Sequence, residues 1–333
     1  MAIIESFLSS RKIRVVLDGQ SSIDYPINSG VPQGSILGPI LFLIFINDLP
    51  DNILSQLAIY ADDTTIYSCL GKTNEPFDMV ELAADLETDL RTVTEWGENW
   101  LVSFNASKTK LLSVNRFKDA FLPPLMMNGA ELPENSSFRL LGLTFSNDFS
   151  WNTYIESIAK SAAMKVGSLF RSRNFLSPES ILYLYKATIR PCMEYCCHIW
   201  AGASTSCLRL LDQIQRRIIN LIGPNLSPKL QSLSHRRNVA SLSLFYKYFN
   251  GSCSDELKSL PPAIKTFNRV TRYSTNAHHL TVQLPSSNKL FYSSSFFPRT
   301  ARLWNLLPSS CFPINYDLQK FKSRVNHHLL SSS

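Results

Sequence analysis

The chain has 333 residues, near the size at which one hydrophobic core gives way to two or three domains. Apolar residues make up 44% and charged residues 18%, which excludes a disordered tail, a low-complexity repeat, a collagen and a coiled coil. The net charge of +7 conceals an opposition, because residues 1–150 carry 10 Lys and Arg against 19 Asp and Glu while residues 151–333 carry 23 against 7.

A basic half suits a polyanion. An acidic half suits one only when its carboxylates hold divalent cations that themselves meet phosphate. Charge alone leaves open the simpler reading of two solvated faces of opposite sign. The longest apolar run, Ile40 to Ile46, falls short of the roughly 20 residues of a membrane-spanning helix. The first residues lack a basic stretch and carry Glu5, so no secretory leader is expected. The seven cysteines read as reduced thiols of an intracellular protein, in cytoplasm or nucleus.

In chain order, residues 13–17 and 23–27 flank the turn pair Asp18-Gly19 and predict a β-hairpin. A glycine-bearing loop over 30–38 follows. Pro39 suits the first turn of a helix that Ile40 to Ile46 continue, buried, until Asn47, Asp48 and Pro50 stop it. Segments 56–60 and 64–68, rich in β-branched and aromatic residues, predict a second hairpin with Ala61, Asp62 and Asp63 at its tip. Leu82, Leu86, Leu90, Val93 and Trp96 recur at helical spacing with Asp85, Glu87, Asp89 and Glu95 around them, an amphipathic acidic helix over 78–100. A strand is expected over 109–114, a loop over 122–137 and a strand pair over 138–145. Ile155 to Phe170 form the next helical stripe, and Ser177-Pro178-Glu179 starts a helix that Pro191 should end. Leu208, Leu211, Ile214, Ile218 and Leu221 make a third stripe, with Arg209, Gln213, Arg216 and Asn220 on its other face. From 251 onward Pro, Ser and Asn punctuate short segments, and one terminal helix is expected over 317–330.

Two adjacent carboxylates in a tight turn repel one another unless a cation is near, although turn chemistry by itself also favours Asp. Context separates the two readings. Tyr60-Ala61-Asp62-Asp63 on a hairpin, preceded by Gly30-Val31-Pro32-Gln33-Gly34-Ser35-Ile36-Leu37-Gly38-Pro39 opening an apolar helix, resembles two neighbouring signatures of reverse transcriptases. Ile36-Leu37-Gly38-Pro39-Ile40-Leu41-Phe42 and Ile46-Asn47-Asp48-Leu49 resemble the non-LTR, LINE-like retrotransposon branch. Asn105-Ala106-Ser107-Lys108-Thr109-Lys110 is similar to the family's next palm motif, and Leu140 to Phe145 with Trp151 to its primer-grip hairpin. Tyr183 to Tyr195 and Leu211 to Arg217 resemble the helices that follow the palm, and Ser295 to Arg299 with Leu303 to Pro308 the C-terminal tail. The resemblance covers essentially the whole chain. It implies an α+β fold: a partial palm, an antiparallel sheet with helices, over 1–148; a helical basic thumb over 149–250; and a C-terminal region of unclear role over 251–333.

The resemblance further implies an RNA-directed DNA polymerase, which transfers a nucleotide from a dNTP to the 3′-hydroxyl of a DNA primer on an RNA template with Mg²⁺ or Mn²⁺. Such in-line transfer uses two divalent ions about 4 Å apart to stabilise the attacking and leaving oxygens. Asp62 is the expected direct metal ligand, with Asp63 a weaker or indirect partner because neighbouring strand residues point apart. Gly34 allows close backbone approach to a base pair, and Gln33 offers an amide to template or incoming nucleotide. The resemblance adds Tyr60 to these substrate contacts. It also implies Lys108 as a donor of a proton or positive charge to departing pyrophosphate, against the ordinary reading of a solvated lysine. Arg209, Arg216 and Arg217 are the expected phosphate contacts of the thumb, salt-sensitive and largely blind to sequence.

The family's first metal-binding carboxylate sits in an aromatic-x-Asp strand upstream of the glycine loop. Asp18 and Asp24 precede the loop but match nothing in that motif, and the finger region is absent. The expectation is a truncated copy or incomplete gene model with weak or no polymerase activity; the alternative is a non-catalytic nucleic-acid-binding remnant. Cys192, Cys196, Cys197 and His198 fit no common structural zinc spacing and read as free thiols. The pairs His278-His279 and His327-His328 read as polar surface, and Phe296, Phe297 and Trp304 as core rather than base-stacking residues. No membrane partner is expected, and the oligomeric state is left open.

Overall fold

A computed structural model describes residues 2–70, 76–114, 122–266, 277–286 and 289–331. Helices and small antiparallel hairpins alternate with helix predominating, an α+β architecture. Two compact units meet at the Ser136/Ser137 bond.

The first unit begins with α1 (Ala2–Leu8) and a nested hairpin. Its inner strands β2 (Val16–Leu17) and β3 (Gln20–Ser21) close on Asp18 and Gly19, whose φ values of 48° and 79° suit a two-residue primed turn. Its outer strands β1 (Arg11–Ile13) and β4 (Tyr25–Ile27) pair Arg11 with Ile27. Next come α2 (Leu37–Ile46), β5 (Gln56–Tyr60), β6 (Asp63–Tyr67) and α3 (Pro76–Trp100). The strand expected over 109–114 is replaced by a single bridge from Leu111 to Glu134. The expected loop over 122–137 instead holds a hairpin, β7 (Met126–Met127) and β8 (Ala130–Glu131), turned by Asn128 and Gly129 at φ 52° and 74°. Its Met127, with Leu125 and Leu132, packs on Ala83 of α3.

The buried helix expected over 40–46 is only half covered. Phe42 and Ile46 pack with Leu49, Val93 and Trp96, while Ile40, Leu43 and Ile44 remain 50–68% exposed. A run that is apolar all round carries no stripe, so its composition shows a buried helix where only one side has neighbours.

The second unit starts with the expected strand pair, β9 (Ser137–Leu140) and β10 (Leu143–Ser146), which packs on α4 (Asn152–Arg171). The hairpin and the helices that follow it belong to one compact unit. Along α4 the stripe Ile155, Ala159, Ala162 and Val166 is buried, but Phe170 is half exposed beneath the Arg173 guanidinium, 4.0 Å from its ring centre. Ser177 caps α5 (Pro178–Leu184) by accepting the Ser180 N–H. Pro191 does not end this helix. A π-helical turn over Tyr185–Ile189 precedes Pro191 and leads into α6 (Arg190–Glu194), because widening the ladder by one residue absorbs the hydrogen bond that proline cannot make.

After α7 (Cys197–Trp200), α8 (Thr205–Ile222) buries Leu211, Ile214 and Ile218 against α4 and α5. α9 (Leu233–Phe249) gives no clear stripe in the sequence because it is buried on more than one side. Leu233 enters the α4–α8 core, whereas Val239, Leu242, Phe245 and Tyr246 enter a second core. Among the described residues there follow α10 (Asp255–Lys258), α11 (Leu290–Ser294), α12 (Phe296–Asn305) and α13 (Leu318–Ser331), the last matching the expected terminal helix. Trp304 is completely buried in the second core, as the core reading required. His278 is a correction. It is 4% exposed, bonded through Nε2 to the Trp304 carbonyl at 3.0 Å and packed 4.5 Å from Phe312. Burial lowers its basicity, which suits a neutral ring in a core rather than a charged surface one. No helix among the described residues is long and apolar enough to cross a membrane.

Candidate active site

The acidic tip forms because strand alternation and turn chemistry agree. In the β5–β6 ladder Leu57 faces Ile66 and Ile59 faces Thr64, so these four share one side of the hairpin, and Ile59 and Ile66 pack on Ile46, Leu49 and Val93. Tyr60 and Asp63 are partners at the last rung and lie on the opposite side, and Ala61 and Asp62 make the two-residue turn, with Ala61 at φ 53°. Tyr60, Asp62 and Asp63 are all exposed. No hydrogen bond or ion pair among the described residues reaches either carboxylate.

This hairpin is held from below by α3. Asp89, fully buried, accepts the backbone N–H groups of Leu54 at 2.6 Å and Ser55 at 3.0 Å, the two residues that lead into β5. Two turns further along, Trp96 Nε1 donates to Asp48 Oδ1 at 2.9 Å and fixes the chain leaving α2. Neither tie follows from the amphipathic reading, which sets Asp89 among the acids around the apolar positions. The signal was present: position 89 lies three residues after Leu86 and four before Val93, inside the apolar stripe, where a carboxylate must find donors.

The glycine loop is anchored at both ends. Arg11 donates from Nη2 to the carbonyls of Ser29 and Gly30 and from Nε to that of Leu8. Ser35 Oγ donates to the Pro32 carbonyl at 2.7 Å and accepts the Gly38 N–H in the first turn of α2 at 3.0 Å. A Cβ on Gly38 would lie 2.9 Å from the Pro32 carbonyl oxygen, so only glycine fits there. Gly34 is different: its surroundings are open, and its φ of 80° is what favours glycine. Gln33 and Gly34 are exposed on this loop.

Lys108 sits on a tight turn after α3. Asn105 Oδ1 accepts the Ser107 N–H at 2.9 Å, and the Asn105 carbonyl accepts the Lys108 N–H at 3.0 Å. The Lys108 side chain is exposed and makes no bond to Asp62 or Asp63. The structure therefore brings Tyr60, Asp62 and Asp63 together by strand register, and it sets Gln33, Gly34 and Lys108 on separately fixed turns. Among the described residues no group of three or more His, Cys, Asp or Glu forms a ready metal cage.

In the second unit Arg209, Arg216 and Arg217 are exposed on α8. Arg209 and Arg216 are seven residues apart, two turns along one face and about 10 Å in rise. Glu194 accepts hydrogen bonds from Arg236 Nε and, at 2.7 Å, from Arg236 Nη2, with Arg190 3.8 Å away. The Cys197 thiol beside this network is pushed up to about 11, first by burial and then by Glu194, so it stays a neutral core thiol.

Residues 1–145 match the family model described as reverse transcriptase (RNA-dependent DNA polymerase). The chain is 28% identical over 263 residues to the RNA-directed DNA polymerase from mobile element jockey of Drosophila melanogaster, covering 70% of this chain and 28% of that protein. It is 30% identical over 233 residues to the jockey polymerase of Drosophila funebris, covering 66% and 24%. With the probable RNA-directed DNA polymerase from transposon X-element of Drosophila melanogaster the identity is 26% over 228 residues, covering 66% and 24%. The matched stretches thus amount to about a quarter of the length of these relatives.

Proposed function

Because the chain belongs to the reverse transcriptases of the non-LTR retrotransposon type, we propose that it acts in RNA-directed DNA synthesis, with the β5–β6 tip as its divalent-metal site. Two exposed carboxylates without a partner among the described residues, at the end of a clamped hairpin, carry this reading. The residues present fit the group. Mg²⁺ is commonly bound by one or two carboxylates together with substrate phosphates and water, so the protein need supply no more oxygen ligands than Asp62 and Asp63 offer. When bound, Mg²⁺ or Mn²⁺ would stabilise negative charge on the attacking and leaving oxygens of the transfer.

The rest is done by the chain's own groups. Asp62 is the direct ligand, and Asp63, on the rung opposite Tyr60, assists. Gln33 and the open backbone at Gly34 take the incoming nucleotide and template, with Tyr60 beside the carboxylates on the substrate side. Lys108 supplies positive charge, or a proton, to the departing pyrophosphate. Residues 1–148 form the palm and 149–250 the thumb, in which Arg209, Arg216 and Arg217 hold the primer–template backbone. The natural partners are an RNA template, a DNA primer and dNTPs inside the cell, in nucleus or cytoplasm.

A donor set of two carboxylates also favours a second reading, a nucleic-acid-binding remnant with weak or no extension. Titration with Mn²⁺, read by water-proton relaxation, separates the two without requiring turnover. Binding by the 333-residue chain should weaken by at least about tenfold in Asp62→Asn/Asp63→Asn. Affinity unchanged in that variant removes the metal site, and RNA-templated incorporation that survives Asp62→Asn would do the same.

The thumb assignment has its own test in salt. Arg209→Gln/Arg216→Gln/Arg217→Gln should lower the slope of log affinity for duplex against log salt by roughly 2 to 3. An unchanged slope would show that α8 does not face the phosphates.

A further inference from the structure

The second unit holds a groove that the polymerase reading does not use. It lies between α9 and α13, has a volume of about 620 Å³, and is lined by Arg236, Lys247, Lys322, Gln231, Gln319 and Asn326 among others, with no Asp or Glu in its wall. Arg236 is already neutralised by Glu194. The Lys247 and Lys322 side chains are exposed and have no ion pair or hydrogen bond among the described residues, so their charge is uncompensated at the rim. α13 contributes no acid at all, and a second cleft of about 430 Å³ on its far side, sharing Ser323 and lined by Arg324, His327 and His328, is likewise free of carboxylates.

The floor of the groove is pre-set from the core. The Tyr185 hydroxyl donates to Gln215 Oε1 at 3.2 Å, Gln215 Nε2 donates to the Gln231 carbonyl at 2.8 Å, and Gln231 Nε2 donates to Asn326 Oδ1 at 3.1 Å. His235 Nε2 lies 2.8 Å from the same oxygen. Asn326 Oδ1 is therefore used twice, which fixes the amide orientation and leaves its Nδ2 hydrogens, in the wall of the cleft, without an acceptor among the described residues. Cations at a rim above oriented amides make a characteristic combination. The cations suit a polyanion of any sequence, whereas side-chain amides suit base edges, which are open to them in an unpaired strand. A volume in the range of a single drug-sized ligand also suits a nucleotide or two better than a duplex.

We propose that the α9–α13 groove binds single-stranded nucleic acid, with Lys247 and Lys322 on backbone phosphates and the Asn326 and Gln319 amides on an unpaired base. This site shares no residue with the arginine stripe of α8. It goes beyond the polymerase reading and stands if the Asp62 metal assignment fails.

Fluorescence anisotropy on the full chain tests it, with a labelled ten-nucleotide RNA, the same sequence as DNA, a blunt duplex and an oligoglutamate peptide as probes. Both lysines are exposed, so Lys247→Gln/Lys322→Gln should keep the wild-type urea transition. The single-strand affinity should fall by about tenfold and its salt slope by about 1.4, two cations at roughly 0.7 each, while duplex affinity stays within about twofold. The Arg209→Gln/Arg216→Gln/Arg217→Gln variant should show the reverse pattern. Loss with the RNA or the DNA oligomer supports the site and identifies the strand it takes. Single-strand binding unchanged in the lysine variant, an equal loss for strand and duplex, or capture of oligoglutamate in place of the strand would overturn it.

Discussion

Replacing Asp89 with leucine should destabilise the first unit by about 3–5 kcal/mol, since two hydrogen bonds to a fully buried carboxylate are lost together. The carboxylate is fully enclosed and bonded to the Leu54 and Ser55 N–H groups; leucine has the same branched skeleton, is bulkier, and accepts nothing. Asp89→Asn keeps one acceptor oxygen and should cost roughly half as much. Amide exchange at Leu54 and Ser55 should accelerate in both variants before the α3 amides are affected, because the ladder of α3 does not depend on this side chain. Mn²⁺ affinity at the tip should fall in step with that opening, although residue 89 carries no ligand. A urea midpoint shift worth less than about 1 kcal/mol would mean that the hairpin is held by its apolar face alone.

What the sequence revealed was local. Asp18-Gly19 and the Asp62 tip form turns because short-range backbone preferences decide them, and Ser177-Pro178 starts a helix for the same reason. The stripes of α3, α4 and α8 were legible because each helix has one wet side. Where burial is set by distant chain, the pattern gave less. α9 is covered from several directions, His278 is placed in the core by Trp304 and Phe312, and α2 is apolar throughout yet covered on one side only. Two misses were of another kind. Asn128-Gly129 is a strong hairpin signal that surrounding prolines and polar residues obscured, and the π turn before Pro191 has no sequence mark beyond the proline it accommodates. The acidic tip was found from its motif, but the residue that holds it in place, Asp89, is visible only when the helix is read position by position.

Trp304 provides the corresponding experiment in the second unit. It is fully buried among Phe245, Phe249, Phe312 and Phe321, with ring centres 4.8–5.7 Å away, and its Nε1 donates to the Leu280 carbonyl at 2.7 Å. Trp304→Ala should cost about 3–5 kcal/mol from lost contacts and the cavity left behind, a large share of the 5–15 kcal/mol that holds a typical domain. Trp304→Phe retains much of the ring but strands the Leu280 carbonyl, and should cost less, about 1–3 kcal/mol. The same pair of variants decides between packing and nucleic-acid contact. A base-stacking tryptophan would lie open, so its removal would leave the urea midpoint nearly fixed and weaken strand binding directly by about 1–3 kcal/mol. A core tryptophan gives the opposite order: stability falls first, and binding to the α9–α13 groove declines only as α9 and α13, which share this core through Tyr246, Phe321 and Val325, lose their mutual packing.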